Sequence, residues 1–308
     1  MKIRENFIGD NANVVILSNN GIPTVLPQPW GAILDGCEVM VAIPDMHIYI
    51  NDDPMDNFKW VADTMIDFLQ FLGRRKDELD LDGRLMRIYQ LGDMYELRFP
   101  WRNRNASVDD IRMSSDKYSR ILNMIDTLEV NKVYGNHDFE NRHFQGYKFA
   151  YKEGLIYLEH GFAADTWLAN PNERLWDPAM MMFLGVKELN AFFAGLAVDL
   201  KIIPKDSTFS IGVKSAEHEV IGIASNDQYR EKFEAIKNHY CSRLARMKDA
   251  PEEKYRIAIV GHTHTPHFDD TEDDGEIIYV DAGGWTEGRS TFVVATNEEI
   301  ALCHYRRV

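Results

Sequence analysis

Cysteine is scarce in this chain. Cys37, Cys241 and Cys303 are few, odd in number and widely spaced, which excludes a disulfide-stapled scaffold and a cysteine-rich zinc knuckle and makes a reducing, cytoplasmic setting the expectation. Basic residues are also short: 34 Lys and Arg stand against 49 Asp and Glu, a net charge of -15. Such a chain repels nucleic-acid phosphates at long range, so nucleic acid is not the expected partner. Uninterrupted apolar runs are missing as well. The longest, Ala179 to Leu200, is broken by Lys187, Glu188, Asn190 and Asp199, so it reads as a buried helix and no membrane span is expected. The opening residues lack the apolar stretch of a cleaved signal. With no Gly/Ser linker, low-complexity tract or internal repeat, and 45% apolar residues, residues 1–308 read as a single domain able to bury a full core.

Short apolar runs, in contrast, are frequent, and each stops at a polar cluster. Val39 to Ile43 precedes Asp45, Arg87 to Leu91 precedes Gly92, and Val130 to Tyr134 precedes Gly135. Leu155 to Leu158 leads to His160, and Ile257 to Val260 to Gly261. These are predicted strands of a layered sheet that deliver polar residues at their C-terminal ends, the edge where ligands bind in open α/β sheets. Between them, Asp53-Pro54 is a helix start for Phe58, Ala62, Met65, Leu69 and Leu72, and Ser107 is a cap for a helix carrying Tyr118, Ile121, Leu122, Ile125 and Leu128. Ile277 to Val280, Thr291 to Ala295 and Ile300 to Cys303 follow without an intervening helix and are expected to build a second sheet. Residues 163–253 break the rhythm and read as a helical cap insertion. Residues before about Gly36 read as short strands or loop.

The polar clusters are Asp45-Met46-His47, Gly92-Asp93-Met94-Tyr95-Glu96, Gly135-Asn136-His137-Asp138, His160-Gly161 and Gly261-His262-Thr263-His264. Singly, each is a common turn sequence. Together, five strand ends all carry carboxylate, amide or imidazole groups suited to hard or borderline cations. Two dications held about 3.5–4 Å apart need a shared anion, and one carboxylate can bridge both.

In this order the clusters match Asp-x-His, Gly-Asp-x-x-Asp/Glu, Gly-Asn-His-Asp/Glu, His and Gly-His-x-His, and the chain resembles the calcineurin-like metallophosphoesterases from Val39 to about Trp285. The resemblance implies a four-layer α/β/β/α sandwich of two mixed β-sheets and a dinuclear metal-dependent phosphoesterase. It implies Asp45, His47, Asp93 and His264 as ligands of one metal and Asp93, Asn136, His160 and His262 as ligands of the other, with Asp93 bridging. Mn²⁺ is the expected ion, and the same O/N set accepts Fe, Zn²⁺ or Ni²⁺. A metal-activated water would attack a phosphate ester or anhydride of a small molecule, a phosphomonoester, nucleotide or diphosphate. His137 would protonate or stabilise the leaving group, Asp138 would orient its ring, and Glu96 would orient a ligand histidine or stand as a solvated loop carboxylate.

Arg98 and Arg102, with Arg142 further on, either hold a substrate phosphate or belong to solvated loops. Met180 to Phe183 is either core or an apolar substrate groove, and His143, His218, His239, His267 and His304 match no position of the family. Within the family, the Gly-Asp-x-aromatic-Glu order and the late Tyr279 to Trp285 segment most resemble the UDP-2,3-diacylglucosamine diphosphatases, although those enzymes carry Arg where this chain has His137 and Gly-Asp-Trp where it has Gly283-Gly284-Trp285. A nuclease or phosphodiesterase of the SbcD type, acting on nucleic acid with the same ligands, and a non-catalytic interaction module are the alternatives. The sequence does not set the oligomeric state.

Overall fold

The computed structural model describes residues 3–9, 11–17, 24–25, 32–50, 56–97, 107–164, 226–247, 255–272, 276–286 and 289–307. Thirteen strands run through these residues: β1 (Val14–Ile16), β2 (Thr24–Val25), β3 (Val39–Ile43), β4 (Met86–Gln90), β5 (Asn131–Val133), β6 (Tyr147–Lys148), β7 (Ala150–Glu153), β8 (Ile156–Glu159), β9 (Ile257–Val260), β10 (His267–Glu272), β11 (Ile277–Asp281), β12 (Thr291–Thr296) and β13 (Glu299–Tyr305). The helices are α1 (Ala62–Leu81), α2 (Val108–Met113), α3 (Asp116–Thr127) and α4 (Asn226–Met247).

Alternation along the strands explains the layering. In β3, Val39, Val41 and Ile43 face one core and Met40 and Ala42 the other, because successive side chains leave a strand on opposite faces. Every residue of β3 is therefore buried and apolar. The first core lies between the first sheet and α1 and α3, where Met65, Phe68, Leu69, Leu72, Tyr118, Ile121 and Ile125 cover it; each such side chain contributes about 1.5–3 kcal/mol by leaving water. The second core lies between the sheets, with Met40, Ala42, Tyr89 and Leu91 meeting Ile156, Leu158, Ile257, Ile259, Ile278 and Val280. In the third, Phe233, Ile236, Tyr240 and Leu244 of α4 cover Tyr157, Ala258, Val260 and Tyr279. The result is helix, sheet, sheet, helix: the four-layer α/β/β/α sandwich.

Both sheets are mixed. The first runs β1-β13-β12-β3-β4-β5-β6, with β2 also on β13, and β3 to β6 are parallel. The second runs β10-β11-β9-β8-β7, with β8, β9 and β11 parallel. The late strands therefore do not form one second sheet as expected. β11 joins β9 in the second sheet, whereas β12 turns back antiparallel onto β3 and carries β13 with it.

The helix expected from Ser107 is two helices. Ser107 accepts the Asp110 amide in a capping box for α2, and a second cap, Ser115 accepting from Lys117, starts α3. The two capping serines, eight residues apart, each satisfy an amide that a new helix start leaves without a partner. Residues 51–55, including the expected start at Asp53-Pro54, lie outside the described residues; Phe58 sits in a 3-10 turn, Phe58–Trp60, and α1 begins at Ala62. Of the stretch 163–253 read as a cap, α4 packs as the outer layer of the second sheet, and 165–225 and 248–254 lie outside the described residues. No helix among the described residues is long and apolar enough to cross a membrane.

Candidate metal centre

The C-terminal ends of β3, β4, β5, β8 and β9 converge where the two sheets meet, and the expected ligands come with them. Asp45, His47, Asp93, Asn136, His160 and His262 are all buried. Their donor atoms fall into overlapping groups: Asp45, His47 and His264; His47, Asp93 and His137; and Asp93, His160 and His262. Asp93 belongs to two of them, and its Oδ2 lies 3.1 Å from His160 Nε2 and 3.8 Å from His47 Nε2. Asp45 Oδ2 is 3.1 Å from His264 Nε2.

The backbone is forced to reach this arrangement. His47, Asp93, His262 and His264 all have positive φ, at 45°, 48°, 74° and 55°. For residues with a Cβ this left-handed region costs about 1–3 kcal/mol each, and it persists only where surroundings over-determine it. Glycines make the space. A Cβ at Gly135 would lie 2.0 Å from Asp93 Oδ1, and one at Gly261 would lie 2.3 Å from Asp45 Oδ1. The glycines of Gly-Asn-His-Asp and Gly-His-Thr-His are thus the room in which the carboxylates of Asp93 and Asp45 sit.

Hydrogen bonds behind the ligands set which nitrogen faces inward. His160 Nδ1 is 2.9 Å from the Leu91 carbonyl, which only accepts, so Nδ1 carries a proton and Nε2 points at Asn136 Oδ1 and Asp93 Oδ2, each 3.1 Å away. His47 Nδ1 is 3.1 Å from Glu96 Oε2, and its Nε2 lies 3.0 Å from His264 Nε2. Nitrogen and oxygen lone pairs facing one another at these distances repel unless a cation or a proton lies among them. Two carboxylates, one amide and four imidazoles so arranged fit divalent metal ions of the Mn²⁺ to Zn²⁺ series.

The electrostatics agree. Burial opposes charge on Asp93, but His160, His137 and His47 outweigh it and hold the carboxyl well below the usual carboxylate range. Asp45 is lowered in the same way by His160 and His264 against its burial, and Glu96 falls to about 2 against burial because His137 and His47 flank it. Burial would depress His47 and His160, yet their acidic neighbours raise them to about 9 and about 10. Burial lowers His264.

One expected role is corrected. Asp138 does not orient His137: its oxygens accept the Gly135 amide at 2.7 Å and the Met94 amide at 3.0 Å, which ties the third ligand loop to the second. Burial and the nearby Asp93 charge push its carboxyl up to about 7. The ring of His137 meets Glu96 instead, through Nδ1 and Oε2. Glu96, buried, is therefore not a solvated loop carboxylate, and one oxygen serves two histidines.

Arg142 lies in the 3-10 turn Phe139–His143, its guanidinium 3.9 Å over the Phe139 ring and donating to that residue's carbonyl at 3.3 Å. Arg98, Arg102, Met180 to Phe183 and His218 lie outside the described residues. His143 is exposed, and His239, His267 and His304 sit on α4, β10 and β13. Asp281, Thr263 and Arg289 stand out by no motif in the sequence, yet they hold the loop of His262 and His264; the one local signal is that the apolar run Ile277 to Val280 closes on the carboxylate of Asp281.

No family model and no curated protein matches the chain. Among solved structures the chain is similar to a metallophosphoesterase from Sphaerobacter thermophilus, with 11% identity over 88% of this chain and 90% of that one and a TM-score of 0.36.

Proposed function

We propose that the chain is a calcineurin-like metallophosphoesterase that uses two divalent cations, Mn²⁺ foremost, to hydrolyse a phosphate ester or anhydride of a small molecule. The observation that carries this reading is Asp93: one buried carboxylate whose Oδ2 lies 3.8 Å from His47 Nε2 and 3.1 Å from His160 Nε2, with a second buried carboxylate, Asp45, whose Oδ2 lies 3.1 Å from His264 Nε2. A carboxylate shared between two sets of neutral donors suits a pair of cations.

Asp45, His47, Asp93 and His264 would hold one ion and Asp93, Asn136, His160 and His262 the other. Such a pair supplies Lewis-acid polarisation of a phosphoryl oxygen and an activated water for in-line attack. The chain's own residues do the rest. Four of the seven ligands are imidazoles and one an amide, so the loaded site stays net positive and draws in a phosphate. His137, its Nδ1 held by Glu96, presents Nε2 as the group that gives a proton to the leaving oxygen. The Asp138 carboxylate keeps the loop carrying Asn136 and His137 against Met94 and so fixes that nitrogen relative to Asp93.

The test is a substrate panel of aryl phosphomonoesters, phosphodiesters, nucleotides and diphosphates, each run with Mn²⁺, Fe²⁺, Zn²⁺ and Ni²⁺. Metal-dependent release of phosphate from at least one class, abolished in Asp93→Asn, is expected. Metal-loaded protein inert across the whole panel would overturn the reading.

A further inference from the structure

The ligand histidines are not all oriented in the same way. His47 has Glu96 behind it and His160 the Leu91 carbonyl, each bonded to the ring nitrogen that faces away from the centre. His264 has no such support: its Nδ1 is buried without a hydrogen-bond partner among the described residues. Its ring must be aimed by the backbone that carries it, and that backbone is in the left-handed region at both His262 and His264. Something has to hold the turn.

Thr263, between the two histidines, is buried and makes the bonds that do so. Its hydroxyl donates to Asp281 Oδ2 at 2.7 Å and accepts the Thr265 amide at 3.1 Å. Asp281, fully buried at the end of β11, accepts the Gly283 amide on its other oxygen at 3.0 Å. Gly283 is at φ +81°, where a Cβ would come within 2.5 Å of Thr291 Oγ1. From the same connection Arg289 donates to the His264 carbonyl at 2.5 Å. Asp281 at the end of β11 and Arg289 just before β12 thus grip the loop twice, once in its middle at Thr263 and once at its end at His264.

We propose that Asp281 is a positioning residue for the metal centre: by holding the Thr263 hydroxyl it fixes the turn that presents His262 to one cation and His264 to the other. This rests on the dinuclear reading above. Because His262 and His264 serve different ions, loosening their shared turn weakens both sites, whereas loss of Glu96 acts from the side of His47.

The experiment compares wild type with Thr263→Val, Thr263→Ser and Asp281→Asn in the full chain. Co²⁺ is titrated into metal-free protein and followed by its ligand-field absorption, with far-UV circular dichroism and thermal unfolding of the metal-free forms alongside. Thr263→Val keeps the shape of the side chain and removes the hydroxyl. It is expected to weaken both Co²⁺ affinities about 10–100-fold, the usual effect of removing a group that orients a ligand, and to alter the absorption bands. Thr263→Ser keeps the hydroxyl and restores both, and Asp281→Asn follows Thr263→Val. Should Asp281→Asn fail to fold, the Val and Ser pair decides. Thr263→Val with wild-type affinities and bands overturns the proposal, as does a change confined to the unfolding of metal-free protein. Wild-type protein that binds two Co²⁺ without hydrolysing any phosphate removes the proposed function alone, and wild-type protein that binds none removes both.

Discussion

His137 and Glu96 share a hydrogen bond in which the carboxylate oxygen that meets His137 Nδ1 also meets His47 Nδ1. The ring assigned to proton delivery and a ring assigned to metal binding are therefore fixed by one buried atom. Their centroids lie 4.7 Å apart at 84°, an edge-on contact that leaves each inner nitrogen its own direction. Glu96→Gln keeps the size of the side chain but replaces the anion that accepts from both Nδ1–H groups with a neutral, weaker acceptor. It is expected to lower metal affinity about 10–100-fold and to lower kcat in addition at saturating metal. Metal titration and steady-state kinetics on the same preparation check both effects.

His137→Ala separates the two roles. Removing the proton donor while His47 keeps Glu96 is expected to reduce kcat by about 10²–10⁴ with bound metal unchanged. The loss should be smallest for substrates whose leaving group needs no proton, such as activated aryl phosphates. Rates across a series of leaving groups of rising pKa measure this.

Gly135→Ala tests the room around the bridging carboxylate. With its Cβ 2.0 Å from Asp93 Oδ1 and the backbone amide of Asp93 only 2.6 Å away, neither partner can yield cheaply. A loss of about 1–3 kcal/mol in stability is expected, together with loss of metal. Denaturant unfolding and metal content check the pair; intact metal binding in a stable variant would place Asp93 elsewhere.

Protonation gives a pH dependence with a definite sign. His47 and His160 are raised to about 9 and about 10 by their acidic neighbours, against the effect of burial. Raised folded-state values mean that their contribution to metal-free stability is fully present below their unfolded value of about 6.5 and is lost as pH rises through 9 and 10. Metal ions must displace those protons, so loading releases protons and affinity increases from pH 6 to pH 9. Calorimetric titration in buffers of different ionisation enthalpy counts the protons, and denaturant unfolding of metal-free protein at pH 7 and pH 10 checks the alkaline loss.

Much of this was legible along the chain because strand ends and ligands are local signals. Val39 to Ile43 and Ile257 to Val260 are strands with the bounds their apolar runs suggested, and the polar clusters after five strands supply the candidate metal-binding groups. What the sequence hid is non-local. The runs Ile277 to Asp281 and Thr291 to Thr296 look alike, both wholly buried, yet one pairs with β9 and the other with β3. A buried strand reads the same in either sheet. Asp138 was likewise assigned to its sequence neighbour His137, when the bonds of its carboxylate run to backbone amides that only the folded loops bring near. Positive φ at His47, Asp93, His262 and His264 had no signal at all, since glycine usually marks such positions.

The central claim is a centre that works with two ions across Asp93. The direct measurement is the initial rate of phosphate ester hydrolysis as Mn²⁺ is added to metal-free protein from zero to three equivalents per chain. Turnover that rises with the second equivalent and levels off there is the expected result, and Asp93→Asn should show none. Full turnover at one equivalent, or none after two have bound, would contradict it.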